Sequence, residues 1–225
     1  MNPPVRHIAP ILALVLLSPL SSFATGTFDP AQFCRGDFEG CSPTGKGSDP
    51  YLNTLKNRDK PPTQVVLYTV DSLYKATPAL PSRKVHRDKW TAAQRALAAK
   101  WECKAVTVEG YLIHVPVREK HEACNCGSDT YRDYHMWLGQ SPTSLRTKAM
   151  VVEISPRERL CHPNWENAAT YLKPVVDGKE KVRVTGWLTY DQEHAEQIGK
   201  TRRTLYEVHP IHAIQVWRGN KWVTL

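Results

Sequence analysis

Hydrophobic and polar positions along this chain fall into three regimes. Residues 8–20 (IAPILALVLLSPL) are almost wholly apolar. Residues 25–62 show little periodicity and are rich in Gly, Pro, Asp, Asn and Lys, the composition of a loop-rich wrapping segment. Beyond them the pattern becomes regular. Residues 64–70 (QVVLYTV) predict a strand, 78–87 a basic, proline-bearing loop, and 91–101 (TAAQRALAAKW) a helix with Thr91 as N-cap. Five further strands are predicted at 104–115, 132–138, 149–154, 181–190 and 204–217, the last bent at Pro210. Residues 156–172 are helix-compatible, interrupted by Pro163.

Three strands, a helical connection and two more strands is the order of an OB-type barrel. Gly110 and Gly186 lie in the middle of the first and fourth of these strands. A small barrel must bend sharply there, and glycine relieves the crowding. A β-sandwich would need more strands than residues 103–225 supply. The expected fold is therefore mainly β. It is a five-stranded OB-like barrel with a helix between strands 3 and 4, plus an N-terminal loop and helix wrapping segment. The expected division is 1–24 signal peptide, 25–102 wrapping segment and 103–225 barrel.

Successive residues of a strand face opposite sides. Tyr134, Met136 and Leu138 are expected inside the barrel, leaving Asp133, His135 and Trp137 outside. Met150, Val152 and Ile154 point inward, with Glu153 outward; Tyr206 and Val208 point inward, with Glu207 and His209 outward. An OB-type barrel places its third strand between the second and the fifth. Asp133, His135, Glu153, Glu207 and His209 should then lie side by side on one outer surface, with Asp191 and His194 near its rim.

That set suits a divalent metal such as zinc or manganese, which can activate water for hydrolysis. A carboxylate-oriented histidine could also act as general base without a metal. His135, Glu153 and His194 are the candidate catalytic residues. The plainer account is that the N-terminal segment packs over this face, pinned through Arg83, Arg87 or Lys89, since buried charge must be paired.

Composition then adds an address. Arg6, the apolar run and the small residues Ser22 and Ala24 follow the n, h and c order of a secretory signal cut near Ala24. A membrane span needs about 20 apolar residues, and this run is shorter and broken by Pro10 and Pro19. The mature chain carries no other candidate span, so export to the periplasm or beyond is expected. The net charge is +8, and removing Arg6 lowers it by one. Six cysteines (Cys34, Cys41, Cys103, Cys124, Cys126 and Cys161) in an oxidising compartment predict disulfides. Cys34 and Cys41 bracket a short polar loop and are natural partners. A bridge within Cys124-Asn-Cys126 is strained, so each should reach elsewhere, with Cys103 and Cys161 as candidates. The rival is zinc on Cys124, Cys126, Cys161 and either His121 or His162.

The stretches VTVEGYLIHV, EACNC, DYHMWL, VVEISPR, VRVTGWLTYDQEH and RRTLYEVHPIHAIQV, with DPYLNTLKNR upstream, resemble an uncharacterised family of exported bacterial proteins. The resemblance covers most of residues 49–225. It implies an OB-like core and export, and it supplies no activity.

OB-type barrels commonly bind oligomers across strands two and three and the adjoining loops. Lys200, Arg202 and Arg203 end the loop between strands four and five, and Trp137 offers a stacking surface. These four are the expected ligand-binding residues, and a polyanion, nucleic acid or acidic glycan, is the expected partner. Glu119, Glu122, Glu193 and Glu196 in the same loops weaken a nucleic-acid groove. No G-x-S-x-G elbow, H-E-x-x-H helix or P-loop occurs. The sequence thus favours an exported binding module for a polyanionic or oligomeric ligand. A metal-dependent hydrolase and a structural envelope protein are the alternatives.

Overall fold

The computed structural model describes residues 40–81 and 85–225. The signal segment, Cys34 and Arg83 lie outside these residues. The barrel strands are β2 (Ala105–Leu112), β4 (Tyr134–Gly139), β5 (Met150–Ile154), β6 (Lys181–Tyr190) and β7 (Tyr206–Arg218). Short strands flank them: β1 (Val66–Thr69), β3 (Val117–Arg118) and β8 (Lys221–Thr224). The sheet runs β1-β2-β6-β7-β5-β4-β3, and a β2–β4 pairing at Tyr111–Gly139 and Leu112–Leu138 closes five strands into a barrel. The third and fifth barrel strands, β5 and β7, pair in parallel at Val152–Val208.

The helices are short: α1 (Pro50–Lys56), α2 (Val70–Ala76), α3 (Ala92–Glu102), α4 (Pro156–Arg159) and α5 (Ala168–Asp177). Thr91 caps α3 as its sequence predicts, its hydroxyl accepting from the Gln94 amide. Helices α4 and α5 fill the connection between the third and fourth barrel strands, and Leu172 and Val175 of α5 join the core. The strand predicted at 64–70 ends at Thr69, because that hydroxyl caps α2. β8 was not expected; the pair Gly219-Asn220, both at positive φ, forms the tight turn that folds it back on β7.

The two mid-strand glycines sit at close approaches. A Cβ on Gly186 would stand 2.2 Å from the Pro210 carbonyl oxygen, where the β6–β7 ladder shifts register. One on Gly110 would stand 2.6 Å from the Gly139 oxygen, at the closing seam. The core contains Met136, Leu138, Met150, Val152, Ile154, Leu188 and Val208, all buried. Each fully buried aliphatic side chain contributes about 1.5–3 kcal/mol relative to exposure.

Candidate metal centre on the outer face of the barrel

β4, β5 and β7 lie side by side, and their alternate residues build the site. His135 and Glu153 face each other in register across β4 and β5. Asp133 immediately precedes β4, and Glu207 and His209 stand on β7. All five side chains expected on this surface come together there. Glu153 Oε1 lies 3.2 Å from His135 Nδ1, and Glu153 Oε2 lies 3.2 Å from His209 Nδ1. Glu207 Oε1 is 3.3 Å from His209 Nδ1, and Asp133 Oδ2 is 3.6 Å from His209 Nε2.

This outer face is as deeply buried as the barrel interior. Asp133, Glu207 and His209 are 0% exposed. The cover is residues 41–57 together with the loop that carries Glu119 to Cys126. A Cys41–Cys126 disulfide staples the two. The Lys46 amide donates to the Ala123 carbonyl, Asn57 Nδ2 to the Cys124 carbonyl at 2.7 Å, and Arg157 to the Cys41 carbonyl at 2.6 Å. Gln192 Nε2 donates to Asp49 Oδ2. From the same cover Lys56 sends its ammonium into the cluster, 2.8 Å from Asp191, 3.6 Å from Glu122 and 4.0 Å from Glu207.

Ion pairs of 4.0 Å or less therefore join six carboxylates (Glu119, Glu122, Asp133, Glu153, Asp191 and Glu207) to two permanent cations, Lys56 and Arg202, and three histidines. With every carboxylate ionised and every histidine protonated, this network would carry an excess of negative charge. The excess centres on Asp133 and Glu153. Among the described residues, their ion pairs run only to histidines.

The protonation equilibria respond to this. Burial, then the neighbouring Glu122 carboxylate, push Asp133 well above the usual carboxylate range. For Glu153 burial acts upward but is outweighed by His209 and then His135, so its carboxyl is held low. Burial would lower Lys56, yet Asp191, Glu122 and Glu207 together raise it well above an ordinary lysine. His135 is likewise lifted to about 9, because Glu119 and Glu153 overcome its burial. Glu119 Oε1 stands 2.7 Å from His135 Nδ1.

Asp133, Glu153 and His209 each place a potential ligand atom within 4.8 Å of the others. Asp133 Oδ1 and His209 Nε2 are buried without a hydrogen-bond partner. His135 and Glu207 adjoin this triad rather than belonging to it. His194 sits at the rim, its Nδ1 2.8 Å from Asp191 Oδ2.

The residues expected to bind a polyanion are placed differently. Arg202 is 1% exposed, pairs with Glu207 at 3.2 Å and donates from Nε to Gln197 Oε1, so its guanidinium turns inward from an exposed loop. Arg203 pairs with Asp71 and lies over the Tyr74 ring. Trp137 is buried, donates from Nε1 to the Thr201 carbonyl at 2.7 Å and carries Arg146 against its ring. Lys200 alone of the four is exposed.

The cysteine pairing also differs from expectation. Cys41 joins Cys126, not Cys34, since the cover brings residues 85 positions apart into contact. Cys126 is thereby removed from any zinc set. Cys103 is an exposed thiol and Cys124 a buried one, neither in a disulfide. Cys161 is half-buried, with its Sγ 3.9 Å from the Arg157 carbonyl oxygen. Arg87 pins α3 through Glu102 at 3.0 Å, and Lys89 pairs with Asp88 at the surface. Arg87 also reaches the cover, 4.0 Å from Asp49 and over the Tyr51 ring, while Lys56 is the cover's cation that enters the cluster.

Lys56, Glu119, Glu122 and Cys124 were missed as members of the cluster. Nothing in the pattern of residues 50–56 marks a buried lysine, and Glu119 and Glu122 read in the sequence only as acidic residues of a loop. Fold and site together define a class, a five-stranded barrel with a capped His–carboxylate centre. No protein-family model matches the chain, and neither a curated protein nor a solved structure is significantly similar to it.

Proposed function

We propose that this protein is an exported metal-dependent hydrolase whose divalent cation is held by Asp133, Glu153 and His209. One observation carries the reading. Among the described residues, two wholly buried carboxylates, Asp133 and Glu153, form ion pairs only with histidine, and Asp133 is pushed toward its protonated form. A divalent cation would take the place of that proton, balance the Glu153 carboxylate and use the His209 nitrogen. Three protein ligands are also what a catalytic zinc site has, with a further position for water. His135 Nδ1 contacts both Glu153 and the partly exposed Glu119, which links the centre to the cover loop.

Export is supported by the Cys41–Cys126 disulfide, a bond favoured outside the reducing cytoplasm. No helix of the described residues is long and apolar enough to cross a membrane. A polyanion-binding role rests on fewer observations, because Arg202, Arg203 and Trp137 are already engaged within the protein.

Calorimetric titration of the metal-stripped full chain with manganese, a hard ion that the thiol does not favour, tests the proposal. One ion should bind the wild type, and His209→Gln should weaken it at least tenfold. Absence of binding by the wild type would reject it. If the loaded protein binds its ion but cleaves neither carboxylic nor phosphoric ester model substrates, the hydrolase reading fails and the ion is structural.

A further inference from the structure

The ligands proposed above leave a second donor set beside them unexplained. Glu122, Cys124 and Asp133 also bring one potential ligand atom each within 4.8 Å of the others, and they share Asp133 with the first set. Cys124 is a buried thiol outside any disulfide. It sits in the 3-10 turn Ala123–Asn125, and the next residue, Cys126, is locked to Cys41, so the thiol is held in place by its neighbour. Its Sγ lies 3.7 Å from Asp133 Oδ2 and 3.9 Å from Glu122 Oε2. Asp133 Oδ1, fully buried, has no hydrogen-bond partner, and neither has His209 Nε2, which faces Asp133 Oδ2 at 3.6 Å. Asp133 therefore retains acceptor capacity between a sulfur donor and a nitrogen donor.

We infer that Glu122, Cys124 and Asp133 form a second metal site, and that Asp133 bridges it to the first. The inference rests on the reading that Asp133, Glu153 and His209 bind a cation. A thiolate is a soft ligand, so the second site selects zinc or a similar thiophilic divalent ion over calcium or magnesium. A carboxylate has two oxygens and can serve two ions at once. Binding replaces the thiol proton, which leaves to solvent, so occupancy rises with pH. Lys56 opposes an ion here from 3.6 Å at Glu122, but its nearest partner is Asp191 at 2.8 Å.

Titrating the metal-stripped full chain with cobalt(II) alone tests this. Two equivalents should bind, one of them giving the near-ultraviolet charge-transfer absorption of a thiolate–cobalt bond. Cys124→Ser should abolish that absorption and one equivalent while keeping the other. Glu122→Gln should weaken the absorbing site at least tenfold. His209→Gln should lose the other equivalent and keep the absorption. One equivalent without thiolate absorption would overturn the second site and leave the first standing. Two equivalents retained by Cys124→Ser would overturn it as well. One absorbing equivalent, unaffected by His209→Gln, would overturn the bridged pair by removing the first site.

Discussion

The inner and outer faces of β4, β5 and β7 are buried to the same degree and built from opposite chemistry. Inward lie Met136, Leu138, Val152, Ile154 and Val208; outward, one residue away each time, lie His135, Glu153, Glu207 and His209, beside a small apolar patch of Trp137, Ala149 and Val151. The inner set is stabilised simply by leaving water, at roughly 25 cal/mol per Å² of apolar surface. The outer set gains nothing that way. Each buried ion costs several kcal/mol, returned only by close pairing. Replacing such a network by apolar side chains is often neutral or stabilising. Stability therefore accounts for the inner face and not for the outer one, and the difference is the reason to seek function outside the barrel.

The cover is what makes the two faces equal, so removing its staple should separate them most. A Cys41→Ala/Cys126→Ala variant should lose about 4 kcal/mol, the scale for cross-linking a long loop. Hydrogen exchange should show cover amides such as those of Lys46 and Asn125 losing protection well before those of Met136 or Leu188. Simultaneous loss on both faces would mean that the cover is part of the barrel's own cooperative unit. Next in size, Lys56→Met should cost about 3–4 kcal/mol in urea unfolding of metal-free protein, because Asp191 and Glu207 would keep their burial and lose a cation. A near-neutral result would show that those carboxylates are protonated in the fold.

A third effect depends on pH. In metal-free protein His135 is raised from 6.5 to about 9, with burial opposing and Glu119 and Glu153 prevailing. The fold favours its protonated form. Its contribution, on the order of 3 kcal/mol, is complete below pH 6.5 and lost as pH rises through 9. His135→Gln should flatten the decline of stability across that window; parallel curves for the two proteins would contradict the assignment. Smallest of all, Arg203→Gln at the partly exposed Asp71 pair should change stability by less than about 1 kcal/mol. A larger loss would give that loop a structural weight the comparison denies it.

Much of this contrast was legible in the sequence, for a physical reason. Period-two alternation separates the faces of a strand, so Met136 and His135 are told apart without coordinates. The interruption by α4 and α5 and the glycines at 110 and 186 then order the strands into a barrel that brings Asp133, Glu153 and His209 together. What alternation does not encode is what lies above a face. Lys56 and Glu122 reach the cluster from irregular chain, where position follows from long-range packing, and Arg202 reads as a surface cation until Glu207 is found beneath it. The same limit governs the disulfide. Cys41 lies next to Cys126 only because residues 41–57 cross the barrel, and no local spacing reports that crossing.

The cation itself is the most direct point of attack. Crystals of the zinc-loaded full-length protein, measured at wavelengths on either side of the zinc absorption edge, should give an anomalous difference peak bonded to Asp133, Glu153 and His209. That peak should vanish in His209→Gln crystals grown the same way. A zinc-loaded crystal with no peak among those three side chains, or with zinc only at surface residues, would contradict the account.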